Sequence, residues 1–460
     1  MTGPVTAALI AAVLVAGLAC VGEILVRRAS RDLFSWNESF LVGAAACAAL
    51  LFPLSVAAPR HALDGELVLI ALCALAAGWR RFARANTRES PRGTTGDLAE
   101  VRHDWVAARL LAAVIAVFLF FVALNYRYGH SWDSIQVWGT KARMLYFRGG
   151  LSRTWFLEDS YDARLLSYPS FISFLEAAFG RLRGTFDLDG AKAIFPFFHA
   201  SLLVATYAAA RTVSSVRWAL GAVLLVALLP ELTTRSAAGG YVDMPLAAFV
   251  AAVTGASLGR DGSDGGSRAL PWLIGAMTAV KQEGMVLALI ACGAILLSWL
   301  TERPRRLAIR VRSAWTGALI VLGLIMARVG YVRWIGVHDP TWGPFDAAHR
   351  ARALQNVGLV ASLCLRSLLD LRTWGLFWPA FLVAGALAIT SGFSRPAILS
   401  LAIASAIAVE AGVFLFTNWS FELHIEGSYT RLLAQLAPAA AVVITAAGQR
   451  LWSPPASTPV

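Results

Sequence analysis

The chain has 460 residues, of which 58% are hydrophobic and 15% are charged, and its mean hydropathy is +0.63. Together with repeated long apolar runs, these values exclude an ordinary soluble domain and predict an all-α, polytopic membrane helix bundle. The 40 basic and 28 acidic residues give a net charge of +12. Because the basic residues sit in short loops between apolar runs, the positive-inside rule and anionic lipid explain them better than a nucleic-acid partner does.

About 13 hydrophobic segments are predicted as spans from their length and flanks. They lie at 4–26, 39–58, 65–80, 105–124, 192–210, 218–232, 243–258, 270–281, 284–300, 314–334, 374–391, 396–417 and 432–448. Residues 1–104 are predicted to form an N-terminal extension of three spans and a basic connector, Arg80–Asp104. The Gly, Pro, Thr and charged residues of this connector predict a flexible cytoplasmic loop. The core is predicted at 105–460.

Alternating sides along this order places the short basic loops in the cytoplasm and the loop 125–191 outside. The same alternation brings most polar residues near span ends to the extracytoplasmic side: Asp133, Asp243, Lys281, Glu283, His338, Asp339, His424, Glu426 and Arg431. The amino terminus has no basic region before its apolar run, so a cleaved signal peptide is not expected. The five cysteines lack paired spacing and predict neither disulfides nor a zinc site.

The stretch from Asn125 to Pro169 is unusually rich in charged and aromatic residues for so apolar a chain. An ordinary solvated loop with interfacial aromatics is one interpretation, and an active-site loop centred on Asp133 is the other. Asp133 could serve as a general base or a metal ligand, or it could only cap a helix that begins at Ile135. Two surface helices are predicted here, from IQVWGTKARMLYFRGG and from LLSYPSFISFLEAAFGRL.

Three later segments place ionisable residues at predicted span ends. Asp243 begins a span in GGYVDMPLAAF, where it could simply favour the helix dipole. Lys281 and Glu283 lie in the turn TAVKQEGM, where lysine either snorkels or faces an anionic group. His424 and Arg431 precede the last span at a spacing of about two helical turns, which would suit a phosphate- or sugar-binding cluster.

The segments WDSIQVWGTKAR, LLSYPSFISFLEA, GGYVDMPLA, LIGAMTAVKQEG and LHIEGSYTRLLAQLAP, taken in order, resemble bacterial members of the GT-C superfamily of glycosyltransferases. The likeness is strongest to the family 39-like branch, which includes protein mannosyltransferases and aminoarabinose transferases. It covers about Ala107 to Ala447, so the first three spans look like an addition. The resemblance implies a GT-C-like fold in the bacterial inner membrane, an extracytoplasmic active site and a polyprenyl-phosphate sugar donor.

The resemblance also implies roles for residues. Asp133 and Asp243 match the acidic pair that activates the acceptor or binds a divalent cation (Mg or Mn), although Ser134 replaces the usual second acid after Asp133. Lys281 would face the donor phosphate, with Arg431 and Arg143 assisting. The remaining residues predicted to bind substrate are Trp132, Trp138, Tyr168, Glu283 and His424. The acceptor would be an envelope glycan, a lipid or a protein, and transfer would be inverting.

Three other functions stay open at this point. A flippase or transporter would need charged residues along a path through the bundle, and the predicted spans contain few beyond Glu23, Glu410 and Arg328. A polysaccharide polymerase or ligase of another fold would also use a large external loop. A non-catalytic membrane scaffold is the third.

Overall fold

The structure is a computed structural model that describes residues 3–26, 33–85, 94–153, 167–237, 239–259, 268–301, 307–336, 341–343, 346–392 and 394–452. Within these ranges the protein is helical and has no β-strand; Trp342 and Thr417 form an isolated bridge. The predicted polar residues Glu158, Asp159, Asp162, Arg164, His338 and Asp339 lie outside the described residues.

The helices follow the predicted apolar segments closely in the first half of the chain. They are α1 (Pro4–Val26), α2 (Leu33–Ala57), α3 (Ala62–Ala85), α4 (Thr94–His103), α5 (Trp105–Arg127), α6 (Thr140–Arg148), α7 (Phe171–Arg183), α8 (Leu188–Ala191), α9 (Phe195–Arg211) and α10 (Val216–Ala227). Two π-helical segments, Ser134–Gly139 and Glu231–Ala237, interrupt this series.

The second half holds α11 (Asp243–Leu258), α12 (Leu270–Val280), α13 (Glu283–Thr301), α14 (Leu307–Ile335), α15 (Ala347–Leu368), α16 (Leu371–Trp374), α17 (Phe377–Thr390), α18 (Arg395–Val413) and α19 (Phe421–Trp452). The last helix is the centre of the bundle and packs against α9, α10, α11, α15, α17 and α18. In its most apolar stretch 83% of the residues are buried, against 11% in α14, which therefore lies at the periphery.

Among the described residues, ten helices are long and apolar enough to cross a membrane, which identifies a multi-pass membrane protein. The predicted number of about 13 is not confirmed. Four of the predicted spans correspond to short apolar helices, α10, α11, α12 and α17. A helix of 12 residues, such as α10, reaches only about 18 Å, whereas a bilayer core is about 30 Å thick. Conversely, Ala347–Trp374 is a candidate span inside a segment predicted to be an external loop.

The connector Arg80–Asp104, predicted to be a flexible loop, is helical at 80–85 and 94–103, the parts that the structure describes as α3 and α4. Helix α3 continues to Ala85, and α4 occupies Thr94–His103. Asp97 accepts hydrogen bonds from Tyr207 (3.0 Å) and Arg211 (2.9 Å), which fastens α4 to α9. Asp104 caps α5 through the backbone N–H groups of residues 106 and 107 and pairs with Arg217.

Both helices predicted beyond α5 are present, but the second is not a surface helix, because its residues from Phe171 to Gly180 are all buried. The first comprises the π-helical turn and α6 and ends at Gly149, whose φ of 81° is the left-handed conformation that glycine adopts at helix ends. The second is α7, which starts just after Pro169. Val137, Trp138 and Leu145 are buried, whereas Ile135 is exposed.

The three N-terminal helices pack on the rest of the bundle. Gly22 and Gly43 let α1 and α2 touch: a Cβ on Gly22 would lie 1.9 Å from the Ser39 carbonyl oxygen, and one on Gly43 would lie 1.8 Å from that of Leu18. Helix α2 in turn contacts α7, α9 and α12, and Asn37 donates to the carbonyl of Ser201. The boundary predicted at residue 104 stays a prediction.

The predicted sidedness can be tested with two cysteines at opposite ends of α5, introduced after the five native cysteines are replaced. Gly129→Cys and Glu100→Cys both fall at exposed positions, and no atom lies within 4 Å of a Cβ at Gly129. We expect a membrane-impermeant maleimide to label Gly129→Cys in intact cells and Glu100→Cys only after permeabilisation. The reverse pattern would invert the topology and move the charged cluster described below to the cytoplasmic side.

Candidate active site

Asp243 is a buried carboxylate whose hydrogen bonds all come from side chains of other segments. Its carboxylate, which is buried at the first turn of α11, accepts hydrogen bonds from Lys281 Nζ at 2.9 Å, Gln435 Nε2 at 2.7 Å and Arg431 Nε at 2.9 Å. These partners come from the turn between α12 and α13 and from two positions one helical turn apart on α19. A buried carboxylate is stable only when such donors replace its lost hydration, so Asp243 binds three helices together.

Arg431 connects Asp243 to Asp133. While Nε donates to Asp243, Nη1 lies 2.7 Å from Oδ2 of Asp133, and the guanidinium carbon lies 4.1 Å from the ring centroid of Tyr241. The two predicted acidic residues are therefore held by one guanidinium. Asp133 makes no capping hydrogen bond at its helix start, so the capping interpretation finds no support.

Asp133 and Asp243 differ in access. The side chain of Asp133 is 23% exposed and that of Asp243 only 1%. Oδ1 of Asp133 has no hydrogen-bond partner in the part of the chain that the structure describes, whereas both oxygens of Asp243 are occupied. Asp133 can thus meet a substrate hydroxyl, and Asp243 can only orient its neighbours.

The Lys281 turn contributes a second carboxylate. Lys281 Nζ also lies 2.9 Å from Oε1 of Glu283, and Gly284 permits the turn to be tight, because a Cβ there would lie 1.9 Å from the carbonyl oxygen of Met277. Burial acts to lower the pKa of Lys281, but the carboxylates of Asp243 and Glu283 outweigh it and hold that pKa above its usual value. Lys281 is therefore a charged, buried partner of carboxylates and does not snorkel to solvent.

The loop that carries Asp133 docks on the Gly239–Gly240 turn just before α11. Ser131 N donates to the Gly239 carbonyl at 3.0 Å, and Gly240 has a φ of 76°. A Cβ on Gly240 would lie 2.5 Å from Oγ of Ser134. Only glycine allows both this backbone conformation and this approach, so Gly240 helps to hold the two acidic segments in register.

His130 further fixes this loop. Its Nδ1 lies 2.8 Å from Oγ of Ser134, and its Nε2 lies 3.0 Å from Oδ1 of Asp189. Burial, and after it the charge of Lys192, lower the pKa of His130. The order Ser–His–Asp is that of a hydrolase triad, but Ser134 is fully buried, so we interpret the contact as a structural clamp.

Tyr168 lies beside the charged cluster, as its predicted role requires. Burial, and after it the carboxylate of Glu283, raise the pKa of its phenol above the usual value, with Lys281 and Arg431 opposing. Its ring packs edge-on against Trp138, with centroids 5.4 Å apart. Trp138 is fully buried, so it supports Tyr168 and cannot stack on a substrate. Trp132 is 60% exposed, so its ring is accessible for stacking.

Two predicted residues lie apart from the cluster. Arg143 is exposed on α6, its guanidinium lies 6.0 Å from the Phe147 ring centroid, and it pairs with none of the described carboxylates. The imidazole of His424 lies 2.6 Å from Oγ1 of Thr417 and is surrounded by the rings of Trp342, Phe414 and Trp419. Seven residues separate it from Arg431, about 10 Å along α19.

The charged cluster does not fit a divalent cation as it stands. Within the described ranges no group of three His, Cys, Asp or Glu side chains is close enough to hold a metal ion. The guanidinium of Arg431 occupies the space between Asp133 and Asp243 that a bridging ion would need. The predicted Mg or Mn remains a prediction, and no chemical step is derived through it.

Sequence reasoning missed Gln435, Lys141 and the position of Arg328. Gln435 follows Arg431 by four residues and so shares its helix face, a signal that was present in the sequence. Lys141 is buried in α6 and donates to the carbonyl of Tyr168 at 2.7 Å. Arg328 was predicted to lie inside a span. In the structure it lies seven residues before the end of α14 and donates to the carbonyl of Ser167.

No protein-family model matches this chain, and neither the curated proteins nor the solved structures yield a match.

We expect Asp243→Asn to destabilise the protein more than Lys281→Met. The asparagine leaves the buried charges of Lys281 and Arg431 without their shared counter-ion, a loss of about 3–5 kcal/mol. Lys281→Met leaves Asp243 with Arg431 and Gln435 and should cost clearly less. Unfolding of the purified variants in mixed micelles measures the difference. Equal losses would show that Asp243 is not the centre of the network.

Proposed function

We propose that this chain is an integral membrane glycosyltransferase that moves a sugar from a polyprenyl-phosphate donor to an extracytoplasmic acceptor. The observation that carries the proposal is the partly exposed carboxylate of Asp133 beside a buried network of Arg431, Asp243 and Lys281. Ionisable groups gathered near helix ends in a membrane protein are costly and usually functional. The resemblance of the same segments to GT-C enzymes supports the same assignment.

The proposed reaction is a direct, inverting displacement at the anomeric carbon. The acceptor hydroxyl forms the new C–O bond while its proton passes to Oδ1 of Asp133. The bond from the anomeric carbon to the phosphate oxygen breaks, and the polyprenyl phosphate leaves with the electron pair. Arg431 holds Asp133 in position through Oδ2, so that Oδ1 remains available to accept the proton.

Asp243 acts in this scheme as a positioning residue. It cannot reach substrate, because its two oxygens are taken by three donors. By fixing Arg431 it fixes Asp133, and by neutralising Lys281 it keeps the turn after α12 in place. The phenol of Tyr168 and the exposed ring of Trp132 are left to contact the sugar.

The packing weakens the transport alternative. Of the three charged residues that could mark a path, Glu23 pairs with Arg81, and Arg328 donates to Ser167 beside Tyr168. Glu410 lies close enough to Glu283, Lys281 and Asp243 to interact with their charges. Arg328 and Glu410 thus lie near the charged cluster and do not mark a path through the bundle.

A deletion strain tests the activity and the base together. We expect the strain to accumulate a polyprenyl-phosphate sugar, and wild-type protein to clear it. Asp133→Asn keeps the shape but cannot take the proton, so transfer should fall at least about a hundredfold. Asp64→Asn is the matched control, because Asp64 pairs with Arg181, away from the cluster. Extraction and chromatography of the lipids give the readout. No accumulated lipid would refute the transferase, and clearance by Asp133→Asn would refute the base.

Gly240→Ala should impair transfer by displacing the Asp133 loop. Gly184→Ala is a matched control, because Gly184 has a similar φ of 80° but no atom lies within 4 Å of its Cβ position. Both variants pay about 1–2 kcal/mol for the left-handed backbone. Only Gly240→Ala meets Ser134, so we expect its transfer rate to fall at least about tenfold below that of Gly184→Ala at equal protein yield. Equal rates would mean that the contact does not position Asp133.

A further inference from the structure

Two neighbouring cations beside Ser167 and Tyr168, Lys141 and the partly buried Arg328, have no carboxylate partner among the described residues. Lys141 Nζ donates to the carbonyl of Tyr168, and Arg328 donates through Nη2 to the carbonyl of Ser167, the preceding residue. Neither cation forms an ion pair within the residues that the structure describes. Nη1 of Arg328 is buried and has no hydrogen-bond partner.

This arrangement contrasts with that of the other buried cations near Tyr168. Lys281 and Arg431 each contact two carboxylates and have no charge left to offer an incoming anion. Burial, and after it the charge of Arg328, lower the pKa of Lys141, whereas the pKa of Lys281 is raised. A carbonyl oxygen offsets the desolvation of a cation only in part, so the pair of Lys141 and Arg328 is incomplete without an anion.

The position of Arg328 indicates where that anion comes from. Helix α14 lies at the periphery, with only 11% of its apolar stretch buried, so its outer side is exposed to lipid. Arg328 itself is only partly buried, and the ring of Tyr331 lies 5.6 Å from its guanidinium carbon. A ligand that approaches from the bilayer with its charge at the head-group level would reach Arg328 first and Lys141 behind it.

We propose that Lys141 and Arg328 bind the phosphate group of a polyprenyl-phosphate lipid. An arginine with a free N–H and an adjacent ammonium can contact two phosphate oxygens at once. The assignment rests on the proposed function, and it replaces Lys281, Arg431 and Arg143 as the phosphate ligands. The phosphate lies beside Tyr168, whose phenol is close to Asp133 and Lys281, so the donor sugar would extend from the cationic pair towards the base.

Binding to the full-length protein in detergent micelles tests the proposal without sugar transfer. The probe is a short-chain polyprenyl monophosphate, titrated while intrinsic tryptophan fluorescence is followed. The polyprenol without phosphate and inorganic phosphate are the comparison ligands. We expect saturable binding of the polyprenyl phosphate, at least about tenfold weaker binding to Arg328→Gln and Lys141→Met, and partial retention in Arg328→Lys. Arg333→Gln is the matched control, because Arg333 is exposed on the same helix, and its affinity should be unchanged.

Thermal unfolding adds a second readout that a merely structural role would not produce. Without ligand, Lys141→Met should unfold at or above the wild-type temperature, because it removes an unneutralised buried charge. With ligand, wild type should be stabilised and Lys141→Met should not. Wild-type affinity in Arg328→Gln, or equal affinity of wild type for inorganic phosphate, would overturn the lipid-phosphate site. A wild-type protein that binds the lipid but transfers no sugar would refute the proposed function and leave this site standing.

Discussion

The carboxylate of Asp243 is the constraint on which the rest of the site depends. It has almost no access to water, and its charge is tolerated because an ammonium, a guanidinium and an amide donate to it together. The two charged donors each contact a second carboxylate: Lys281 contacts Glu283, and Arg431 contacts Asp133. Removing the central charge would leave Lys281 with Glu283 alone and Arg431 with Asp133 alone, and both of these carboxylates are partly exposed, so no member of the network is neutral to lose.

The charges near the Ser167–Tyr168 segment form two groups with opposite balance. In the first, Asp133, Asp243 and Glu283 outnumber Lys281 and Arg431. In the second, Lys141 and Arg328 donate hydrogen bonds only to backbone carbonyls among the described residues. A substrate with an anionic phosphate and a neutral sugar complements this division, because its charge would go to the second group and its reacting carbon to the first.

Whether an apolar helix spans the bilayer is the feature for which hydropathy was least informative. Helices α11 and α12 are apolar throughout and were predicted as spans, yet they have only 16 and 11 residues. Both begin or end at the charged cluster, where Asp243 and Lys281 are held by partners on other helices. Short helices are tolerated in such a place because the backbone groups at their ends are surrounded by protein and not by lipid.

The sequence by itself determined the class of the protein and the candidates for its site. The backbone polar groups of long apolar runs can form their hydrogen bonds in lipid only within helices. Ionisable residues are few in so apolar a chain, so they can be singled out. Asp133, Asp243, Lys281 and Arg431 were found in this way, and they contact one another in the structure. Only the tertiary structure decided which charges neutralise each other. Lysine at position 141 and lysine at position 281 look alike in the sequence, but one is buried against a carbonyl and the other between two carboxylates. The physical reason is that the state of a buried charge depends on neighbours that are far away along the chain; Asp243 and Arg431, for example, are 188 residues apart.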